Sequence, residues 1–200
     1  MPGSSLWLVP PPDHPVHRIL TKLITQTLPN TFPDVAGSDC PSFSPHMTLT
    51  SNIDPALYGD DPQGWLDGVP WPQGRDVSVR FAAVQTQDVY FRRCFVQVGM
   101  GDGVADIAAL ARARGVEGEA DQTGPKTRKW LGEWAEAFGP HVSLIYGDNP
   151  IDDAKLQEIS KVVKEAGIEL EGPGWEGGVV WLVPTDRPIN EWKPIATKEL

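Results

Sequence analysis

Apolar residues recur three and four positions apart in several stretches of this chain, which is the spacing of one face of an α-helix. The first such stretch begins at Pro15 and is expected to end at Pro29, because proline suits a first helical turn and interrupts a helix interior. The same pattern predicts further helices over 102–114, 126–138 and 152–166. Each has one apolar stripe and therefore packs against a core.

Shorter runs of β-branched and aromatic residues predict strands. They lie at 5–9, 77–87, 89–98, 179–183 and 191–197. The runs at 77–87 and 89–98 are close enough in sequence to form a hairpin, which favours antiparallel pairing. The stretches 32–44 and 54–74 are rich in Pro, Gly, Asp and Ser and are predicted to be loops, the second with at most a short helix. Helices combined with antiparallel strands predict an α+β fold.

Two short strings repeat one polar and apolar pattern. Pro45-His46-Met47-Thr48-Leu49 and Pro140-His141-Val142-Ser143-Leu144 both read Pro-His-apolar-hydroxyl-Leu, and they contain two of the four histidines. Side chains two apart on a strand share a face and lie about 7 Å apart. Each string therefore predicts a strand with a polar face that carries His and a hydroxyl and a buried apolar back. An ordinary core strand with a hydrogen-bonded His is the alternative for each.

A weaker repeat relates the two ends of the chain. Trp7-Leu8-Val9-Pro10 reappears as Trp181-Leu182-Val183-Pro184. Together with the histidine strings, it favours two related lobes with approximate twofold symmetry, although apolar tetrapeptides are common in strands and chance is the alternative.

Composition limits the classes of function. The chain has 200 residues, 40% of them hydrophobic, and a formal net charge of −10. We expect a single bilobal domain over residues 1–200. We expect no sequence-independent binding to long nucleic acid, because such binding requires a cationic surface. No apolar run approaches the roughly 20 residues of a membrane span, and no secretory signal is recognisable, so we expect a cytoplasmic or nuclear protein without a membrane partner. We also expect a monomer. Cys40 and Cys94 are too few for a disulfide framework or a zinc site, and we expect reduced thiols, with a single bridge between the two as the alternative.

The paired strings resemble the two H-x-[ST]-x motifs of the two-histidine (2H) phosphoesterase superfamily. Within it, the chain is similar to the fungal and plant cyclic phosphodiesterases. The similarity spans nearly the whole chain, and besides the motifs it rests on Leu6-Trp7-Leu8-Val9-Pro10, Tyr90-Phe91, Lys126-Thr127-Arg128-Lys129-Trp130-Leu131 and Pro140-His141-Val142-Ser143-Leu144-Ile145-Tyr146.

This resemblance implies a bilobal fold of two antiparallel sheets, each backed by helices, with the two motifs facing one another in the cleft between the lobes. It implies hydrolysis of small cyclic phosphodiesters without a metal or other cofactor. Nucleoside 2′,3′-cyclic phosphates would become 2′-phosphates, and ADP-ribose 1″,2″-cyclic phosphate would become ADP-ribose 1″-phosphate. It also implies a link to by-products of tRNA splicing.

His46 and His141 are the predicted acid and base, because imidazole titrates near neutrality and one ring can work neutral while the other works protonated. We assign His141 as base and His46 as acid, although the symmetry of the two motifs provides no physical reason for the choice. Thr48 and Ser143 are predicted to donate hydrogen bonds to the phosphoryl oxygens. Satisfied strand hydroxyls are the alternative.

Three aromatic residues are predicted substrate contacts, each with core packing as the alternative. Trp7 and Phe91 would stack on the nucleobase of the substrate. The resemblance makes Tyr146 a ligand contact if the strand ends before it. Trp130 and Trp134 are interpreted as packing residues. Four basic residues are considered as contacts for a second phosphate, against the alternative of solvated surface charges: Arg92, Arg93, Lys126 and Arg128.

Two other functions stay open. The same site could process RNA ends, as a 3′ exonuclease or a 2′-5′ ligase-like enzyme, although the acidic composition disfavours this. A nucleotide-binding module without turnover is the other alternative, which the intact acid and base pair disfavours.

Overall fold

Eight strands form one antiparallel sheet in the computed structural model, which describes residues 3–37 and 40–200. The strand order is β6-β3-β4-β5-β2-β1-β7-β8, and every neighbouring pair is antiparallel. The strands are β1 (Ser4–Val9), β2 (Met47–Ile53), β3 (Ser78–Gln85), β4 (Cys94–Val98), β5 (His141–Ile145), β6 (Pro173–Glu176), β7 (Val179–Pro184) and β8 (Ala196–Glu199). The predicted α+β class with antiparallel pairing is confirmed.

The prediction of two separate sheets is wrong. Strands β2 and β5, which carry the two histidine strings, pair with each other through Met47 and Val142. This pair joins the two four-stranded halves of the sheet at its centre. The bilobal, pseudo-twofold arrangement around a cleft stays a prediction, as does the single domain over residues 1–200.

The two Trp-Leu-Val-Pro strings lie side by side on paired strands. Trp7 is opposite Trp181, and Leu6 is opposite Leu182. Both strands, β1 and β7, belong to the same half of the sheet. The repeat therefore marks a cross-strand pairing, and the interpretation that it relates two lobes is wrong.

The α-helices flank this sheet. They are α1 (Pro15–Lys22), α2 (Leu28–Thr31), α3 (Pro33–Ala36), α4 (Pro62–Asp67), α5 (Val104–Arg112), α6 (Pro125–Ala137) and α7 (Asp153–Glu165). Those at 104–112, 125–137 and 153–165 lie where the apolar pattern predicts them, whereas α3 lies within 32–44, so the prediction of an uninterrupted loop there is wrong. Helix α5 contacts β2, and α7 contacts β3.

The prediction that the first helical segment ends at Pro29 is wrong, because α2 continues to Thr31. A π-helical turn, Leu23–Thr27, connects α1 to α2, and the N–H of Leu28 donates to the carbonyl of Leu23, five residues back. This wider turn shifts the hydrogen-bond pattern directly before Pro29, whose ring would clash with a regular helix. A second π turn, Ala113–Glu117, follows α5.

Two strand predictions need correction in their bounds. The hairpin of β3 and β4 is confirmed, but residues 90–92 form a 3₁₀ turn, so that β4 begins only at Cys94. The last strand lies at 196–199 rather than 191–197, because Pro194 has no N–H to donate to a ladder. Strand β6 was not predicted, since its sequence opens with Pro173 and Gly174.

The back of the histidine strands lies in the core. Met47, Leu49, Val142 and Leu144 have no solvent exposure. The side chains between them, which alternate to the other face, are the polar ones. This alternation confirms the predicted strands with a polar front and an apolar back.

Neither cysteine forms a disulfide, as expected. Cys94 is buried in β4, and burial raises the pKa of its thiol to about 12, while Cys40 is half-buried. Across residues 3–37 and 40–200, no helix is long and apolar enough to cross a membrane.

Candidate active site

A single cavity of about 400 Å³ is lined by all seven of the predicted site residues. They are Trp7, His46, Thr48, Phe91, His141, Ser143 and Tyr146. Two larger surface depressions, of about 790 and 580 Å³, contain no histidine. The cavity is therefore the place where the chain concentrates acid-base groups.

Register explains why these residues meet. Met47 and Val142 are directly opposite each other, and both point into the core. Their neighbours along the two strands alternate to the opposite face. His46 and Thr48 on one strand therefore share a face with His141 and Ser143 on the other.

His46 is held from behind by the backbone. Its Nδ1 lies 2.6 Å from the carbonyl oxygen of Ser44, and the residue is only 5% exposed. Because a carbonyl only accepts, Nδ1 carries the proton of the neutral ring. This leaves Nε2 as the nitrogen that is available to a ligand in the cavity.

His141 repeats this arrangement at the same sequence offset. Its Nδ1 lies 3.1 Å from the carbonyl oxygen of Gly139, two residues earlier. In both copies the intervening residue is a proline, which restricts the backbone between the carbonyl and the ring. The shared proline of the two strings thus precedes a ring whose tautomer is set by the backbone, a role that the sequence did not reveal.

Both imidazoles are neutral over most of the physiological pH range in the absence of a ligand. Burial lowers the pKa of His46 to about 4, against the opposing hydrogen bond to Ser44 and with a further contribution from His141. Burial also lowers the pKa of His141 to about 4, with an additional contribution from the charge of Arg92. An acid role for either ring therefore requires an anion that favours its protonated form.

The two hydroxyls differ in their partners. The Oγ of Ser143 donates to the carbonyl oxygen of Phe91 at 2.9 Å. Thr48 has no hydrogen-bond partner for its hydroxyl among the described residues, and it is only partly buried. Thr48 can donate to a ligand directly, whereas Ser143 first has to turn away from Phe91.

Trp7 supports His46 rather than presenting an open aromatic face. The two rings stack with centroids 3.7 Å apart and an angle of 11° between their planes. Trp192 meets the indole edge-on at 5.8 Å. With 1% exposure, Trp7 has little surface for a base, and its predicted substrate contact stays a prediction.

Tyr146 and Phe91 lie at the other aromatic side of the cavity. Strand β5 ends at Ile145, so Tyr146 escapes the regular alternation that would have turned it away. Its ring stacks on Phe43 at 3.9 Å and meets Phe91 edge-on at 5.2 Å. Burial raises the pKa of the Tyr146 hydroxyl, which keeps it protonated and able to donate.

Further residues line the cavity, among them two tryptophans and two arginines. Trp130 and Trp134 of α6, interpreted as packing residues, stack on each other at 5.3 Å and also face the cavity. Arg112 lies 5.2 Å above the ring of Trp130. Arg92 lines the cavity while only 4% exposed, so that the alternative of a solvated surface charge is wrong for this residue. Helical spacing alone could not separate a packing tryptophan from a cavity wall.

The described part of the chain contains no group of three or more His, Cys, Asp or Glu placed to hold a metal ion. The two histidines are available as proton-transfer groups through their Nε2 atoms. Metal independence itself stays a prediction.

Comparison with known proteins relates the chain to one family. The model of the family described as "Cyclic phosphodiesterase-like protein" matches residues 1–200. A 2′,3′-cyclic-nucleotide 3′-phosphodiesterase of Neurospora crassa is 57% identical, and one of Phaeosphaeria nodorum is 40% identical, each over 100% of both chains. A protein of the same name from Saccharomyces cerevisiae is 27% identical over 81% of this chain and 72% of its own length.

Proposed function

Because this chain belongs to the cyclic phosphodiesterase-like protein family, as the sequence motifs predicted, we propose that it hydrolyses nucleoside 2′,3′-cyclic phosphates to nucleoside 2′-phosphates. The predicted enzyme class, a hydrolase that acts on phosphodiester bonds, is confirmed by the same comparisons. One observation carries the proposal: two histidines with backbone-bound Nδ1 atoms share a cavity wall with two hydroxyls. Such a pair can remove one proton and deliver another at a single phosphorus centre.

The reaction requires one proton to be taken and one to be given. A water attacks phosphorus and forms the new P–O bond while its proton passes to Nε2 of His141. The bond from phosphorus to the ribose 3′ oxygen breaks, and Nε2 of His46 protonates that oxygen. The two rings end in exchanged protonation states, and proton exchange with solvent restores them.

The negative charge of the substrate raises the proton affinity of the imidazole that acts as the acid. The cavity contains two imidazoles that are neutral without a ligand, since burial lowers both pKa values to about 4. A cyclic phosphate diester is an anion, and an anion next to an imidazole favours the protonated form. Substrate binding is therefore coupled to the uptake of one proton.

Hydrogen bonds to the non-bridging oxygens would stabilise the charge that develops as the fifth P–O bond forms. Thr48 offers a hydroxyl without a competing partner in the described residues. Ser143 can contribute once its Oγ rotates from the carbonyl of Phe91. The hydroxyl of Tyr146, kept protonated by burial, is the third donor at this wall.

We include ADP-ribose 1″,2″-cyclic phosphate and a link to tRNA splicing by-products in this proposal. The cavity extends past the histidines to Trp130 and Trp134, which offer aromatic surface to a nucleobase, and to Arg112, which would have to exchange Glu117 for a second phosphate. The net charge of −10 disfavours long RNA as substrate. We propose a metal-independent monomer that acts on small nucleotides in the cytoplasm or nucleus.

Phosphorus NMR of adenosine 2′,3′-cyclic phosphate incubated with the protein tests this function. We expect conversion to adenosine 2′-phosphate, with the other regioisomer absent. Binding without any conversion over prolonged incubation would favour a nucleotide-binding module instead. Faster cleavage of an oligonucleotide than of the mononucleotide would favour RNA-end processing.

A further inference from the structure

Arg92 is a buried cation at the catalytic cavity. It ends the 3₁₀ turn Tyr90–Arg92 that precedes β4, and it is 4% exposed. Buried arginines usually have a carboxylate partner, because an uncompensated charge in the interior is costly. No carboxylate lies within 4.0 Å of Arg92 in residues 3–37 and 40–200.

Neutral groups accept hydrogen bonds from part of the Arg92 guanidinium instead. Nη2 donates to the carbonyl of Phe138 at 2.6 Å, and Nη1 donates to that of Ala137 at 3.4 Å. The guanidinium carbon lies 4.6 Å from the ring centre of Phe95, and Nε has no partner among the described residues. The positive charge of Arg92 is therefore directed to helix-end carbonyls and aromatic faces, and no described anion neutralises it.

These contacts connect Arg92 to His141 in two ways. Phe95, which the guanidinium covers, also meets the His141 ring edge-on at 5.2 Å. Phe138, whose carbonyl Arg92 binds, directly precedes Gly139, which holds Nδ1 of His141. The same side chain thus places a positive charge near His141 and anchors the segment that orients it.

The other groups that face His141 do not offset this charge. His46, directly before β2, and Tyr146, directly after β5, also line the cavity. Helix α5 contributes Arg112, whose Nη2 is paired with Glu117 at 2.6 Å. Helix α6 contributes only the uncharged Trp130 and Trp134 to the cavity wall.

His46 has the opposite environment. Trp7 stacks flat against its ring at 3.7 Å, and the face of an indole attracts a cation. The two motifs are alike in sequence, yet one imidazole lies near an unpaired cation and the other lies on an aromatic face.

We propose that Arg92 is a positioning residue that sets the roles of the two histidines, by keeping His141 neutral as the base and leaving His46 to carry the proton as the acid. This inference rests on the proposed function for its acid and base roles. Burial lowers the pKa of both rings. The charge of Arg92 is a further cause at His141, whereas the further charge that acts on His46 is that of His141 itself.

Histidine ring titration by NMR in the wild-type protein is the first test. Saturating sulfate serves as the probe, because its charge does not change between pH 4 and 8. We expect the pKa of His46 to rise above that of His141 by about one in the sulfate complex. A higher pKa at His141 than at His46 would overturn the proposal, and this arm needs no variant to fold.

Three variants then separate charge from structure. In R92Q the pKa of His141 should rise by about one while that of His46 stays in place, and in R92K, which keeps the charge, both should stay near wild type. R93Q is the matched control, since Arg93 is equally buried but already paired with Asp88 at 2.9 Å and does not line the cavity. An unchanged His141 in R92Q, or an equal rise in R92K and R93Q, would overturn the proposal.

The pH profile of kcat, which reports the enzyme–substrate complex, gives the functional readout. The acidic limb reports the base, so R92Q should move this limb to higher pH and leave the alkaline limb in place. Movement of the alkaline limb alone would mean that His141 is the acid. If no cyclic nucleotide is hydrolysed at all, the proposed function fails, while the ring titrations still decide the effect of Arg92.

Discussion

The imidazole of His46 lies flat on the indole of Trp7, with ring centroids 3.7 Å apart. Trp7 lies on β1 and His46 directly precedes the neighbouring strand β2, in which Thr48 is the register partner of Trp7. The stacked indole limits the orientations open to His46 and covers the ring face that water could otherwise reach. Trp7 therefore restricts the orientation of His46.

Replacing Trp7 by Phe should distinguish these two roles. If Trp7 mainly supports His46, W7F lowers kcat by about tenfold or less and leaves KM near wild type, since a smaller ring still stacks. If Trp7 mainly binds the nucleobase of the substrate, KM rises instead. Steady-state kinetics on adenosine 2′,3′-cyclic phosphate measures both, with thermal unfolding as the check on folding. W7A should be far more damaging, because loss of a buried Trp costs roughly 3–5 kcal/mol.

Removing either histidine should abolish most of the turnover and leave the fold intact. H46A and H141A are each expected to lower kcat by roughly 10²–10⁴, the range for a general acid or base. The double variant should lose little more than the single ones, because the two groups act in one step. H17A is the control: His17 lies on α1, outside the catalytic cavity, and its loss should leave kcat unchanged. Full activity in H141A would contradict the site.

The hydroxyl without a partner should contribute most to transition-state stabilisation. T48V, which keeps the shape but removes the donor, is expected to lower kcat by roughly 10²-fold, and T48S should recover most of it. S143A should cost less in kcat and more in stability, because it also removes the hydrogen bond to the Phe91 carbonyl. Equal kinetics for T48V and wild type would show that Thr48 does not contact the phosphoryl group.

Stability should fall as the pH decreases from about 6.5 to 4. Both buried histidines have a pKa near 4 in the folded chain against 6.5 for a free side chain, so the unfolded state binds more protons in this range. The difference corresponds to about 3 kcal/mol for each ring, present in full above pH 6.5 and lost below 4. Urea unfolding at pH 7 and pH 5 measures it, and H46Q and H141Q should each have a shallower pH dependence. The same slope in both variants would show that other groups cause the loss.

Activity should survive chelation. Since proton transfer by two imidazoles needs no Lewis acid, dialysis against EDTA is expected to leave kcat within twofold of the untreated protein. The assay compares EDTA-treated protein with and without added Mg²⁺, Mn²⁺ or Zn²⁺. Loss of activity with chelator and its recovery with a divalent ion would contradict the metal-independent mechanism.

Local features of the sequence determined the two histidine strands, most of the long helices and the family. Alternation along Pro45–Leu49 and Pro140–Leu144 predicted two strands with His and hydroxyl on one face, because side chains two apart on a strand point the same way. Helical spacing predicted α5, α6 and α7 to within a few residues. The same strings were sufficient for the family, since both motifs are short and complete within one strand.

Tertiary structure alone decided how these elements combine. A single pairing of Met47 with Val142 makes one sheet of two halves, and strand partners distant in the chain cannot be read from local pattern. Pairing also placed Trp7 opposite Trp181, so that two similar strings became neighbours instead of symmetry mates. The two histidine motifs look equivalent in sequence, yet folding places the unneutralised charge of Arg92 near one ring and an indole face against the other. The two rings are distinguished by their environments, and these arise only when distant segments pack together.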